Sequence, residues 1–232
     1  MALFLVRFLV SRERLSKIYQ ALYRAYGPPP KPEGSPLEVL IRTVLSQNTN
    51  DRNRDLAYEA LRRNFPDWES VLSAPLGELE RCLHPAGLSR QRSKRIREIL
   101  RKARKDFGEG ELEGLCLLPR DRALEWLLNL PGVGLKTAYC VLAFGCGQDL
   151  FPVDTHILRI TKRLGLLPER AGSEEAHRIL GPMVPEGKGR DLHLLLIRYG
   201  REICRARNPR CDRCLFPEEC LYRQKNGNQR TV

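Results

Sequence analysis

The chain has 232 residues, 42% of them hydrophobic, which is enough for a core in one large domain or two small ones. Lys and Arg number 40 against 28 Asp and Glu, a formal charge of +12, and this excess points to a polyanion partner, nucleic acid first. No stretch reaches the ~18 apolar residues of a membrane span. Met1 to Val10 is apolar, but it is short, broken by Arg7, and lacks a basic leader and a small-residue cleavage site, so it does not read as a signal. A cytoplasmic, nucleoid-associated protein is expected.

The periodicity predicts helices nearly throughout. Leu5, Phe8, Leu9, Leu15, Ile18, Leu22 and Tyr23 line one face of an N-terminal helix, which Gly27-Pro28-Pro29-Pro30 stops. Leu37–Ser46 and Arg54–Phe65 are the next helical runs, then Trp68–Leu72 and Leu76–Leu83. Gly87 ends that part, and Ser93–Phe107 is a helix rich in Lys and Arg. Glu109–Pro119 reads as a linker. Arg122–Asn129 is helical up to Leu130-Pro131-Gly132, and Thr137–Phe144 follows. His156–Leu164, Glu174–Val184 and Arg190–Arg205 complete the set. Sustained strand alternation is missing, so the class is all-α.

Between two of these helices lies Leu130-Pro131-Gly132-Val133-Gly134-Leu135-Lys136-Thr137-Ala138. Pro131 ends the first helix, and Gly132 and Gly134 permit unusual backbone angles without presenting a side chain. Amides at the start of the next helix can then face a phosphate, the form of a helix-hairpin-helix that grips DNA by its backbone. Lys136 sits at that electropositive helix start, where the free amine is favoured over the ammonium. It is either a nucleophile able to form a Schiff base or a phosphate contact. Asp154, in Val153-Asp154-Thr155-His156-Ile157, precedes another helix. It is either a plain N-cap or a carboxylate that stabilises positive charge and moves protons.

Near the C-terminus, Cys204, Cys211, Cys214 and Cys220 follow the pattern C-x6-C-x2-C-x5-C. Disulfides belong mainly to small secreted chains. Structural zinc commonly uses two separated cysteine pairs, whereas one loop can wrap a [4Fe–4S] cube, so spacing favours iron–sulfur and leaves zinc open. The remaining cysteines, Cys82, Cys116, Cys140 and Cys146, lie in apolar surroundings and read as small core residues.

Three motifs in this order, LPGVGLKTA at 130–138, VDTHI at 153–157 and the cysteine loop at 204–220, resemble the endonuclease III family of iron–sulfur helix-hairpin-helix DNA glycosylases. The resemblance covers nearly the whole chain and implies a [4Fe–4S] cluster held by the four cysteines. It implies a six-helix barrel at 33–147 carrying the hairpin, and a second domain of 1–32 and 148–232 carrying the cluster. It implies that Lys136 attacks C1′ of a damaged nucleotide flipped from duplex DNA, with Asp154 assisting, and that β-elimination nicks the strand. Oxidised pyrimidines are the expected lesions, and a monomer is the expected state.

In the same family the counterpart of Gln47 fills the gap left by the flipped base and that of Leu88 is a wedge in the stack. By the same resemblance the hairpin residues Gly132, Val133, Gly134 and Thr137 hold the DNA backbone. Arg90, Arg92, Lys94 and Arg95 follow the wedge, and Arg205, Arg207 and Arg210 lie in the cysteine loop, where cations suit phosphates. There are departures. Gln47-Asn48-Thr49-Asn50 stands where many relatives have Gln-x-Thr-Asp, and Leu135 where Arg is frequent. The competing readings are a monofunctional mismatch glycosylase, a DNA-binding module without catalysis, and a zinc-binding regulator.

Overall fold

The computed structural model describes residues 2–31, 33–108 and 112–227, with side chains described for 12–31, 33–108 and 112–225. Every regular element among them is helical. The chain divides into two compact units, Met1–Lys31 with Asp149–Val232, and Pro32–Gln148. No helix among the described residues is long and apolar enough to cross a membrane.

The first unit begins with α1 (Ala2–Tyr26). Leu15, Ile18 and Leu22 form its buried stripe, whereas Tyr23 is exposed. The expected contributions of Leu5, Phe8 and Leu9 to that face lie outside the described side chains. Gly27 ends the helix at φ 73.

The second unit holds α2 (Pro36–Ser46), α3 (Asp51–Asn64), α4 (Trp68–Ser73), α5 (Leu76–Leu83), α6 (Ser89–Phe107), α7 (Glu113–Leu117), α8 (Arg120–Leu128) and α9 (Leu135–Cys140). Local chemistry explains several starts. Ser35 and Glu38 form a capping box on α2, with Pro36 in the first turn. Asn50 caps α3 and Asp67 caps α4. The helix α2 runs through the unit's core with Leu37, Leu40, Ile41, Val44 and Leu45 buried. A π turn, Val141–Gly145, prolongs α9. A Cβ on Gly145 would come within 2.6 Å of the Pro36 backbone, so glycine lets α2 approach.

Two expectations fail in this unit. The supposed linker contains α7, because Leu112 and Leu115, three apart, are both fully buried. Cys116 and Cys146 are not separate core residues but a disulfide. Of the other two scattered cysteines, Cys140 is buried and Cys82 only half-buried.

The first unit resumes with α10 (Thr155–Arg163), α11 (Ser173–Leu180), α12 (Gly189–Glu202) and α13 (Leu221–Gly227). Its core gathers Leu15 and Leu22 of α1, Ile157 and Ile160 of α10, Leu180 of α11, and Leu192, Leu196 and Tyr199 of α12.

Candidate functional site

The hairpin joins α8 to α9 as the motif requires. Leu130 and Val133 are buried, and the Val133 amide closes a turn on the Leu130 carbonyl at 3.2 Å. Gly132 has φ 73, and an added Cβ would collide with the Arg95 guanidinium at 2.8 Å. Gly134 differs from expectation, since its φ of −101° is ordinary and a Cβ there would meet nothing within 4 Å. The fold therefore does not itself need glycine at 134; bare backbone there leaves room for something from outside. Lys136 lies in the first turn of α9, whose N-cap is Gly134 with no side-chain cap. The first amides of α9 are thus left without a side-chain acceptor. The side chains of Val133 and Thr137 are buried, so only their backbone can face DNA.

Gln47 caps the C-terminal end of α2 and reaches the hairpin, its Nε2 donating to the Gly132 carbonyl at 2.8 Å. Arg95 donates to Gln47 Oε1 at 3.4 Å. Leu88 is 59% exposed and adopts the left-handed region (φ 49, ψ 33) just before α6. A leucine held there carries backbone strain with much of its side chain in water. Beyond Gln47, Asn50 is taken up in capping α3 and Asp51 pairs with Arg54 at 3.0 Å.

Arg92 is a correction. It was expected among the phosphate-facing cations, yet it is 2% exposed. Its Nε donates to the Gly87 carbonyl at 2.8 Å and its Nη1 to the Val44 carbonyl at 2.6 Å. Its Nη2 donates to the carbonyls of Gln47 and Ala86. The reason is helical phase, because Arg92, Ile96, Ile99 and Ala103 share the buried face of α6. A charged residue in a core phase was the available sequence signal for an internal brace. Arg90 and Lys94 are exposed.

Asp154 is the N-cap of α10, its Oδ1 accepting from the Ile157 amide at 2.8 Å. The segment before it is pinned by two buried histidines that sequence reasoning missed. The Val153 amide donates to His177 Nε2 at 2.9 Å. His177 Nδ1 must then carry the proton, and it donates to the Ser173 carbonyl at 2.7 Å. His193 Nδ1 donates to the Pro152 carbonyl at 2.7 Å. Burial pushes the His177 imidazole below its ordinary pKa.

The cysteine loop packs on α10 and α12. Arg159 donates to the Cys204 carbonyl at 3.0 and 2.8 Å and to the Gly200 carbonyl at 2.9 Å. Arg163 donates to Cys204 Sγ at 3.3 Å and to the Arg205 carbonyl at 2.8 Å, and lies over the Tyr222 ring. The Tyr199 hydroxyl is 3.0 Å from Cys214 Sγ, and the Phe216 amide donates to the same sulfur at 3.4 Å. All four cysteines are free of disulfides. Burial raises the Cys204 and Cys211 thiol pKa values. Among the described residues, no three His, Cys, Asp or Glu side chains converge to hold a single metal ion. Arg205, Arg207 and Arg210 are exposed on the loop.

Residues 41–186 match the HhH-GPD superfamily of base excision DNA repair proteins. The chain belongs to that superfamily. An endonuclease III from Thermotoga maritima is 34% identical over 195 residues, covering 84% of this chain and 87% of that protein. Among solved structures, a non-covalent endonuclease III–DNA complex superposes with a TM-score of 0.81 at 27% identity, covering 94% of this chain and 98% of that one. A trapped endonuclease III–DNA covalent intermediate gives 0.80 at 27% identity, covering 93% and 98%. Within the superfamily this chain groups its hairpin, Gln47 and Leu88 in one unit, and its Asp154 cap and cysteine loop in the other.

Proposed function

We propose that this HhH-GPD base-excision DNA glycosylase is bifunctional and also cleaves the strand as an AP lyase. The observation that carries the reading is Lys136 on the first turn of a helix entered through a glycine hairpin. It is supported by likeness to an endonuclease III captured as a covalent DNA intermediate. In this reading the Lys136 amine attacks C1′ of a flipped nucleotide. The base departs with the bonding electron pair and gains a proton. The lysine nitrogen then loses a proton, and its lone pair opens the sugar ring by breaking C1′–O4′, with O4′ taking up a proton. The resulting iminium acidifies C2′, a proton leaves, and the C3′–O bond breaks to release the 3′ phosphate. The Asp154 carboxylate stabilises the developing positive charge and accepts protons. Damaged duplex DNA is the partner, with oxidised pyrimidines as the substrate class. Gln47 and Leu88 occupy the space vacated by the base, and the bare backbone at Gly134 lets a phosphate approach the α9 amides.

Cys204, Cys211, Cys214 and Cys220 fit a [4Fe–4S] cluster: four unpaired thiols in one loop, with Arg163, the Phe216 amide and the Tyr199 hydroxyl at two of the sulfurs. When bound, the cluster supplies a structural brace that fixes the Arg-bearing loop.

Borohydride trapping tests the lyase, with duplexes carrying thymine glycol or an abasic site. Wild type should yield a covalent adduct with both, and Lys136→Gln should yield neither. An adduct on the abasic site alone would shift the substrate class to mismatched thymine or uracil. No adduct from wild type on either duplex would remove the lyase assignment.

A further inference from the structure

We infer that Arg92 is a positioning residue that locks the Gln47 and Leu88 segments into one rigid probe. The inference rests on the reading above that these two side chains contact DNA. One guanidinium donates to carbonyls of two segments that are distant in sequence: Val44 and Gln47 at the end of α2, and Ala86 and Gly87 in the turn that presents Leu88. Among the described residues no carboxylate pairs with it. Its charge is instead met by carbonyl dipoles, among them two at the C-terminal end of α2, where the Val44 carbonyl also accepts the Gln47 amide at 3.4 Å. A buried arginine without a counter-ion is costly unless every donor direction is used. Here its fork links both segments at once.

The chemistry explains why the joint matters. A wedge and a gap-filler act at one disrupted step of the duplex, so an error in their separation weakens both. Leu88 is more than half exposed and sits in the left-handed region, so its own packing holds it only in part. Carbonyls on either side of the Gly87–Leu88 junction therefore set its position, and Arg92 holds one of them. Arg95 extends the device, since it touches both Gln47 and the Gly132 turn of the hairpin. Lysine cannot replace Arg92, because a point ammonium lacks the planar fork needed for both segments.

The test is a double-mutant cycle on single-turnover base removal from a lesion duplex, with thermal unfolding measured alongside. Arg92→Lys should slow base removal on the order of tenfold. In a Gln47→Ala/Leu88→Ala background the same change should add little, since the segments it positions no longer carry their probes. An equal loss in both backgrounds would overturn the inference and leave Arg92 as ordinary core structure. If Gln47→Ala and Leu88→Ala are themselves silent, the DNA-contact reading fails first, which separates the two failures. Should Arg92→Lys not fold, hydrogen exchange on wild type decides. The Gln47 and Gly87 amides should open with one shared free energy, and independent opening would refute the lock.

Discussion

Lys136 and Asp154 occupy equivalent places, the start of a helix, yet the two starts are built oppositely. The Lys136 helix begins at Gly134 and has no side-chain cap, so its first amides are left for an external acceptor. The Asp154 helix is closed by the aspartate itself, whose Oδ1 takes the Ile157 amide. Their supports differ as well. The hairpin lies inside a covalent loop closed by Cys116–Cys146, whose bridge points are 30 positions apart in sequence. The Asp154 segment is held by side-chain hydrogen bonds from His177 and His193. The lesson is that a helix start intended for a ligand is left uncapped and stiffened from behind. A helix start that presents a side chain can cap itself.

The comparison is sharpened most by Asp154→Asn. Asparagine caps as well as aspartate, so unfolding should barely change. Base removal should fall by about 10²–10⁴, the range for losing a positioned proton acceptor. If stability fell and the rate did not, Asp154 would be a cap only. Asp154→Ala should add a loss of about 1 kcal/mol in stability, read from denaturant titration.

The hairpin's support comes next. Removing the bridge with Cys116→Ser should destabilise the Pro32–Gln148 unit by about 3–4 kcal/mol on chain-entropy grounds for a loop of this length. Reductant should produce the same shift in wild type and none in Cys116→Ser. Cys211→Ser should leave that shift intact while abolishing the brown absorbance that the proposed iron–sulfur cluster predicts. A reductant-insensitive wild type would show that the bridge does not hold the hairpin.

The smallest effect concerns the histidine clamp. His177 is buried neutral with its pKa lowered by burial, so the unfolded chain binds its proton first as pH falls. Stability contributed by neutral His177 is therefore complete above its unfolded pKa of about 6.5. It is lost progressively below that value, down to the lowered folded pKa. His177→Gln should flatten the fall in unfolding midpoint across this window. An unchanged slope would assign the acid sensitivity elsewhere, with His156, also lowered by burial, the next group to change.

Sequence alone determined the all-α class, the hairpin, the Asp154 helix start and the cysteine loop. Each is written in a short span, as 3.6-residue periodicity, a glycine pair or close cysteine spacing, and local backbone preferences suffice to express it. The resemblance carried by those motifs then located Gln47 and Leu88. Tertiary structure decided what joins distant segments. The pairing of Cys116 with Cys146, the His177 and His193 bonds to the Asp154 segment, and the burial of Arg92 all depend on which faces meet. Arg92 shows the reason most plainly. By composition it was one of many surface cations, but its phase on α6 turned it inward, where only carbonyls from two other segments could satisfy it.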